Sequence, residues 1–501
     1  MHNTTARILS VSAAWNLAGY IVPFAVGVIT IPRLIHGLGV ERFGILTLAW
    51  VLIGAFSIFD FGLGRALTQV VATALGRGAI GELAPIVWSS LLLMFVSGVV
   101  GAGIVVALAP ALVHSWLRIP LWLQSESLGA FYLLALGLPV VVVSAGLRGI
   151  LEAQQRFDLS NLVRIPLGAY TFVGPLVILV WTNSLVASVL VLLVGRLVAA
   201  IAYVWLCLRV TPGLARRPQI RLANMITVLG LGAWISVSNF ISPVIAYADR
   251  FVIGAAVSVA AVAYYAAPYD LVVRALFIPS AIASVFFPAF ALSFVSNPKR
   301  TDRLLIQASK YLLILMFPIL LTTVVFANEG LRIWLGGDFA RHGMRVLQLL
   351  AIGVFANGLA QLPFALIQAA GKPDLTAKLH VIEALIYLPT LWGLIAVAGI
   401  EGAALAWMLR VLVDMIAQFA LAGRLLPDRP RAITRLAVPL AVTVALLVGA
   451  TFLPSNLAVK AAFVGITIGA FAAGSWFGLL SREERALATR PFAAISSAVS
   501  G

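Results

Sequence analysis

Pairs of ionisable side chains stand in stretches otherwise too apolar to carry them. Asp60 and Arg65 fall in FDFGLGRAL (residues 59–67), and Asp270 and Arg274 in YDLVVRAL (269–276). An acid and an arginine four apart share a helix face and can pair. Asp60 and Arg65, five apart, pair less well along one helix. An arginine turned to a cavity instead offers a planar fork that holds phosphate through parallel hydrogen bonds. Both readings stand: ion pairs that fix packing, or cations for an anionic ligand. Arg33 and the Asp249-Arg250 dipeptide lie near the ends of apolar runs, where a long side chain reaches the interface; Arg250 also fits an outer gate or a phosphate contact. Arg164 and Arg196 have no partner nearby in sequence and are further candidates for a cavity. His380 and Glu383 are residue types that carry protons. Arg148 with Glu152, and Arg410 with Asp414, have the spacing of simple i,i+4 pairs.

The elements that must position these groups are membrane helices. The chain has 501 residues, of which 62% are hydrophobic and only 10% charged, with a mean hydropathy of +1.07. Soluble domains are about 25% charged, so this composition describes a polytopic membrane protein. The net charge is +16; basic loops facing the cytoplasm account for it without nucleic acid. One cysteine, Cys207, leaves no intrachain disulfide and no cysteine-based metal site. The first apolar stretch follows a single Arg and has no cleavage site after it, so it reads as a first span rather than a removed signal.

A span needs about 20 apolar residues. Runs between polar breaks predict 14 spans, at 10–35, 44–73, 84–109, 127–151, 159–181, 185–208, 223–248, 256–292, 304–328, 344–369, 377–398, 401–423, 433–453 and 458–480. The eighth is long enough to be tilted or kinked. With both termini inside, the basic clusters Arg209/Arg216/Arg217/Arg221, Lys299/Arg300/Arg303, Arg424/Arg429/Arg431/Arg435 and Arg482/Arg485/Arg490 all fall on the cytoplasmic side, as positive charge should.

A polar island occurs twice. ILEAQQRFDLS (150–160) is matched by LIQAAGKPDLT (366–376), with Glu152 over Gln368, Arg156 over Lys372 and Asp158 over Asp374, at an offset of 216. The segments around Arg33 and Arg250, and around Arg65 and Arg274, repeat in the same order. Collinear matches argue for a duplication of six spans, inserted in parallel. The predicted organisation is an all-α protein with a lobe at 1–215, a second lobe at 216–428, and two additional helices with a tail at 429–501. Each island then joins two spans on the cytoplasmic side. Glu152, Arg156, Asp158, Lys372 and Asp374 read as hinge or loop residues, the aspartates as helix caps.

Pro23, Pro32, Asn239 and Pro243 are candidate breaks within spans. HSWLRIPLWLQS (114–125) reads as an amphipathic segment lying on the outer surface. The sequence has no phosphate-loop motif, no HExxH or Cys/His cluster and no nucleophile elbow. It gives no signature of a cofactor or metal, and any transport must draw on an ion gradient, a substrate gradient or a partner.

The chain resembles the polysaccharide and oligosaccharide-lipid exporters of the multidrug/oligosaccharidyl-lipid/polysaccharide superfamily, and within it the O-antigen and exopolysaccharide repeat-unit flippases. The resemblance rests on IPRLIHGLGVERFGILTLAW, FDFGLGRALTQVVA, RGILEAQQRF with Asn161, ADRFVIG with AVAYYAAPYDLV, and LIQAAGKPDLT. It implies two six-helix lobes that rock between inward-open and outward-open states in a bacterial inner membrane. The implied cargo is an undecaprenyl-pyrophosphate-linked oligosaccharide, carried to the periplasmic leaflet for polysaccharide biosynthesis, with polymerase and other glycan-assembly proteins as possible partners and H+ or Na+ as a possible coupling ion. Arg65 and Arg274 match the charge this cargo requires. The first span carries only Arg33 and no acid, which sets the chain apart from peptidoglycan-precursor flippases and from cation-coupled drug antiporters, the main alternative. A membrane glycan polymerase is a weaker one, because no outer loop is large enough for a catalytic cluster. The expected protein is thus a transporter and not an enzyme.

Overall fold

The computed structural model describes residues 2–55, 62–215, 220–222, 225–226, 229, 247–426, 431–482 and 484–485. Among these there are helices and no strands. Asp60, Asn239, Pro243, Arg216, Arg217, Arg429, Arg490 and most of the seventh expected span lie outside them.

The first compact unit comprises residues 1–267 and 384–403. Its helices are α1 (His2–Leu38), α2 (Val40–Ala55), α3 (Leu63–Gly76), α4 (Ile80–Ala111), α5 (Leu121–Ala153), α6 (Phe157–Ile178) and α7 (Leu185–Val210). They are apolar on nearly every side, with Val100, Leu136, Val198 and Ile201 turned outward. In water such faces would be a liability; in a bilayer they are the required surface, because a helix satisfies its own backbone while lipid solvates its side chains. Among the described residues, ten helices are long and apolar enough to span a membrane, with a shorter one at Leu436–Ala450.

The second expected span is not one helix. α2 is described as far as Ala55, and α3 starts afresh after Gly62, whose φ of 66° is left-handed and cannot continue an α-helix. Arg65 therefore sits in a first turn rather than mid-helix. The segment at 114–125 is not a surface helix either. A π-turn at Leu112–Trp116 ends α4, Arg118 N–H donates to the Gly254 carbonyl at 2.9 Å, and α5 starts at Leu121. Corner geometry replaces surface amphipathicity because backbone donors here find partners within the unit. A side chain on Gly44 would meet the Val259 carbonyl oxygen, so α2 packs directly on backbone, as small residues allow in membrane proteins.

The second unit comprises residues 268–383 and 404–501. The helix Val259–Val272 (α8) passes through a 3-10 turn at Val273–Leu276 into α9 (Phe277–Ser296). Then follow α10 (Pro298–Val325), α11 (Ala327–Leu335), α12 (Gly337–Ala369), α13 (Pro373–Arg424), α14 (Arg431–Ala450) and α15 (Leu457–Gly474). α12 is the pillar: Leu350, Val354, Phe355, Leu359 and Leu362 are fully enclosed, and α9, α10 and α11 pack around it. α13 merges two expected spans across a break at Gly399, whose φ of 57° and ψ of −133° suit only glycine. The last helices are tied down by enclosed ion pairs. Lys460 on α15 reaches Glu329 on α11 at 2.7 Å, and Lys310 on α10 reaches Glu484 at 2.6 Å.

The two islands share a backbone conformation. Arg156 N–H donates to Leu151 O at 2.9 Å, and Lys372 N–H to Ile367 O at 3.1 Å. Gln155 and Gly371 occupy the same left-handed position, at φ 59° and 71°. Ser160 Oγ donates to Glu152 at 3.4 Å where Gln368 Nε2 donates to Thr376 Oγ1 at 3.0 Å. The aspartates are not caps. Arg156 and Lys372 hold the N-cap positions, without side-chain cap bonds, and Asp158 and Asp374 fall in the first turns, where the positive helix end favours an acid.

Candidate functional site

Each unit carries a polar group within its apolar body. In the first, three helix faces converge. Arg148 and Glu152 are one turn apart on α5, Ser160 and Arg164 one turn apart on α6, and Arg196 and Tyr203 two turns apart on α7. Arg148 Nε lies 3.4 Å from Glu152, with about half of each side chain covered. Tyr203 donates its hydroxyl to Ser160 O at 3.3 Å. Arg148, Arg164, Arg196 and Glu152 are all close enough to that hydroxyl to act on it electrostatically. Arg164 also leans on α1, where a side chain at Gly19 would collide with its guanidinium. Among the described residues, three arginines stand with one glutamate here, in a setting where a phosphate or carboxylate would be bound by charge-assisted hydrogen bonds. Sequence spacing named Arg196 and Arg164 singly and read Arg148 only as the partner of Glu152. The structure brings the three together, and Tyr203, which sequence reasoning missed, is their common neighbour.

In the second unit, His380 and Glu383 at the start of α13 meet Arg410, Asp414 and Gln418 from its second half. Arg410 Nη1 is 3.3 Å from Glu383, His380 Nε2 is 4.0 Å from Asp414, and Gln418 Nε2 donates to Asp414 at 3.1 Å. Phe364 of α12 stacks on the imidazole at a centroid distance of 6.0 Å. Glu383 and Asp414 are 5% and 7% exposed. The i,i+4 spacing of Arg410 and Asp414 suggested a local pair; Arg410 binds Glu383 instead, across the Gly399 break. The signal in the sequence was that Arg410, Asp414 and Gln418 share one helix face. A ring nitrogen and two carboxylate oxygens come within 4.8 Å of one another, but Arg410 leaves a net charge of minus one, which a divalent metal would overcompensate.

The other expected residues lie apart. Arg33 is exposed, and its Nη1 donates to Ile29 O at 3.0 Å. Asp249, enclosed, accepts from Tyr265 at 2.6 Å and from the Arg250 N–H at 2.7 Å, and Arg250 is itself 4% exposed. Asp270 lies in the last turn of α8 and is half-buried, while Arg274 lies in the following 3-10 turn and is exposed, as is Arg65. Arg156 and Asp158 pair at 2.9 Å on the surface, and Asp374 pairs with Lys378 at 3.2 Å.

These features define a polytopic helical membrane protein of the transporter type, with charged groups set inside its helical units. Its fold is shared with solved transporter structures. An inward closed structure titled lipid II flippase MurJ superposes with a TM-score of 0.71 over 94% of this chain and 100% of that one, at 11% identity. An inward-facing multidrug resistance MATE family transporter superposes with a TM-score of 0.68 over 86% and 95%, at 14% identity. The chain belongs to the family described as "Polysaccharide biosynthesis protein", which it matches over residues 10–294. It is 28% identical over 412 residues to the "Putative O-antigen transporter" of Shigella flexneri, covering 81% of this chain and 95% of that protein. It is 22% identical over 417 residues to the "Lipopolysaccharide biosynthesis protein WzxC" of Escherichia coli (strain K12), covering 81% and 79%.

Proposed function

We propose that this protein flips polyprenyl-pyrophosphate-linked oligosaccharide units from the cytoplasmic to the periplasmic leaflet of a bacterial inner membrane, for surface polysaccharide assembly. It is a transporter and not a catalyst. The observation that carries the reading is its similarity, along nearly the full length of the relative, to an O-antigen transporter. The arginine group of the first unit supports it: cations held at half-burial among apolar helices suit a pyrophosphate whose lipid tail stays in the bilayer. In this reading the chain has 14 spans with both termini cytoplasmic, lobes at 1–215 and 216–428, and alternating access around a cationic cavity to which Arg65 and Arg274 contribute. Arg33 and Arg250 line the exit side, and the 150–160 and 366–376 turns act as hinges. A proton or sodium gradient drives the cycle.

Deleting the gene tests the cargo. Lipid-linked oligosaccharide should accumulate on the cytoplasmic leaflet while surface polysaccharide is lost. The double charge reversal R65E/R274E, present in the membrane at wild-type amount, should fail to restore either. Normal export by that variant would remove both arginines from the mechanism. The MATE-type fold keeps a cation-coupled drug antiporter as the second reading; unchanged surface glycan together with new drug sensitivity on deletion would favour it.

A further inference from the structure

The enclosed group on α13 has an unmet chemical need. Glu383 Oε1 and Gln418 Oε1 are buried and face no hydrogen-bond donor among the described residues. Glu383 is 5% exposed and Gln418 1%. An oxygen of the Asp414 carboxylate lies within 4.8 Å of one of Glu383. Two carboxylates are both acceptors, and a contact between them closes only around a proton. The charges agree. The charged or titratable groups acting on Glu383 are Asp414 and Arg410, and the same two act on His380; Tyr387 follows one turn along the helix. Two acids against one arginine leave one negative charge, and an uncompensated buried charge is strongly destabilising. One proton cancels it. Access differs within the group: the His380 side chain is 35% exposed, while those of Asp414 and Glu383 are 10% and 5% exposed. The imidazole is fixed against Phe364, with Nε2 aimed at Asp414.

We infer that Glu383 and Asp414 form a one-proton site, with His380 as its gate. In the transfer, protonated His380 gives up the proton on Nε2 to Asp414 Oδ1, through one bridging water across the 4.0 Å gap. This leaves a neutral imidazole and a neutral acid, and the acid's proton is then shared with Glu383. Because the acids sit on either side of the Gly399 break, gaining or losing that proton changes the attraction between the two halves of α13. Its use in driving transport rests on the exporter reading; the binding of the proton does not.

The test is infrared difference spectroscopy on the full-length protein in lipid nanodiscs, titrated from mildly acidic to alkaline pH in H2O and D2O. The expected result is a protonated-carboxyl band in the wild type at neutral pH that shifts in D2O and disappears as a single proton is lost. E383Q and D414N should each abolish it, and H380A should keep it. Absence of the band from the wild type overturns the proposal and depends on no variant folding. Survival of the band in both E383Q and D414N overturns it as well. So does its loss on adding sodium at fixed pH, which would mean that an alkali ion takes the seat. A protein that proved not to export glycan would still give the expected band, so the two readings fail separately.

Discussion

Replacing Arg410 by methionine removes the guanidinium bound to Glu383 and keeps most of the side-chain volume. At 3.3 Å and an effective dielectric constant of about 20, the attraction to Glu383 is about 5 kcal/mol. The acids, whose oxygens lie within 4.8 Å, repel by about 3 kcal/mol or more on the same scale when both are ionised. Breaking an enclosed pair by deleting one partner costs ~3–5 kcal/mol, and here the group left behind carries one negative charge beside its shared proton, and a second once that proton is lost. R410M should therefore lower thermal stability in nanodiscs by that order. The loss should grow towards alkaline pH and shrink in acid, where protons neutralise the acids. The double variant R410M/E383Q, which removes one charge of each sign, should recover most of the loss, since contacting residues are strongly non-additive. The assay is intrinsic tryptophan fluorescence on heating at two pH values. An equal loss at both pH values, or a double variant as unstable as the single, would refute the charge argument.

Three further outcomes follow from the geometry. G44A should sharply reduce folded protein recovered from membranes, because its Cβ would collide with the backbone oxygen of Val259, which cannot rotate away; fluorescence-detected size exclusion reads this. Q155G should raise thermal stability, and G371A should lower it, by about 1 kcal/mol each, since both positions are left-handed, where a side chain is penalised. Glu484, beyond the last span, is held at about 2: burial by itself would push it up, but the Lys310 ammonium, the Ser481 N–H and the Tyr311 hydroxyl pull it down further. A depressed carboxylate gives stability that is complete above the ordinary glutamate range and is lost as pH falls from there towards about 2. Protection of the residue 481–485 segment from proteolysis by an acid-stable protease should fall across that window, and E484Q should abolish the dependence.

Much of this was written in the chain, and the misses have physical causes. The helix class followed from composition alone, and the 216-residue offset located two turns that share even their left-handed residue, although one is Gln155 and the other Gly371. Periodicity failed at α2 and α3 because hydropathy stays high through Gly62, while helix continuity depends on a dihedral angle that hydropathy does not encode. It failed again at Arg410. The i,i+4 rule weighs only partners on the same helical segment, and Glu383 lies 27 residues away, brought within reach by the Gly399 break. Tyr203 could not be picked out because its role comes from three helices meeting at one hydroxyl. His380 and Glu383 were legible as proton-carrying types; their company was not.

The two polar groups answer the cost of burying charge in opposite ways, and their exposure separates what each can bind. Among the described residues, the arginine group of the first unit has a positive surplus, and Arg148 and Glu152 are 43% and 35% exposed. Water can solvate that surplus until a bulky anion replaces it, so the group can fill and empty at modest cost. The surplus in the second unit is negative, and its acids are 5% and 7% exposed. No bulky cation reaches them and little water solvates them, so the species that balances the charge must be small enough to travel through a hydrogen bond. The first group is thus open enough to exchange an anion, and the second closed enough to hold a proton.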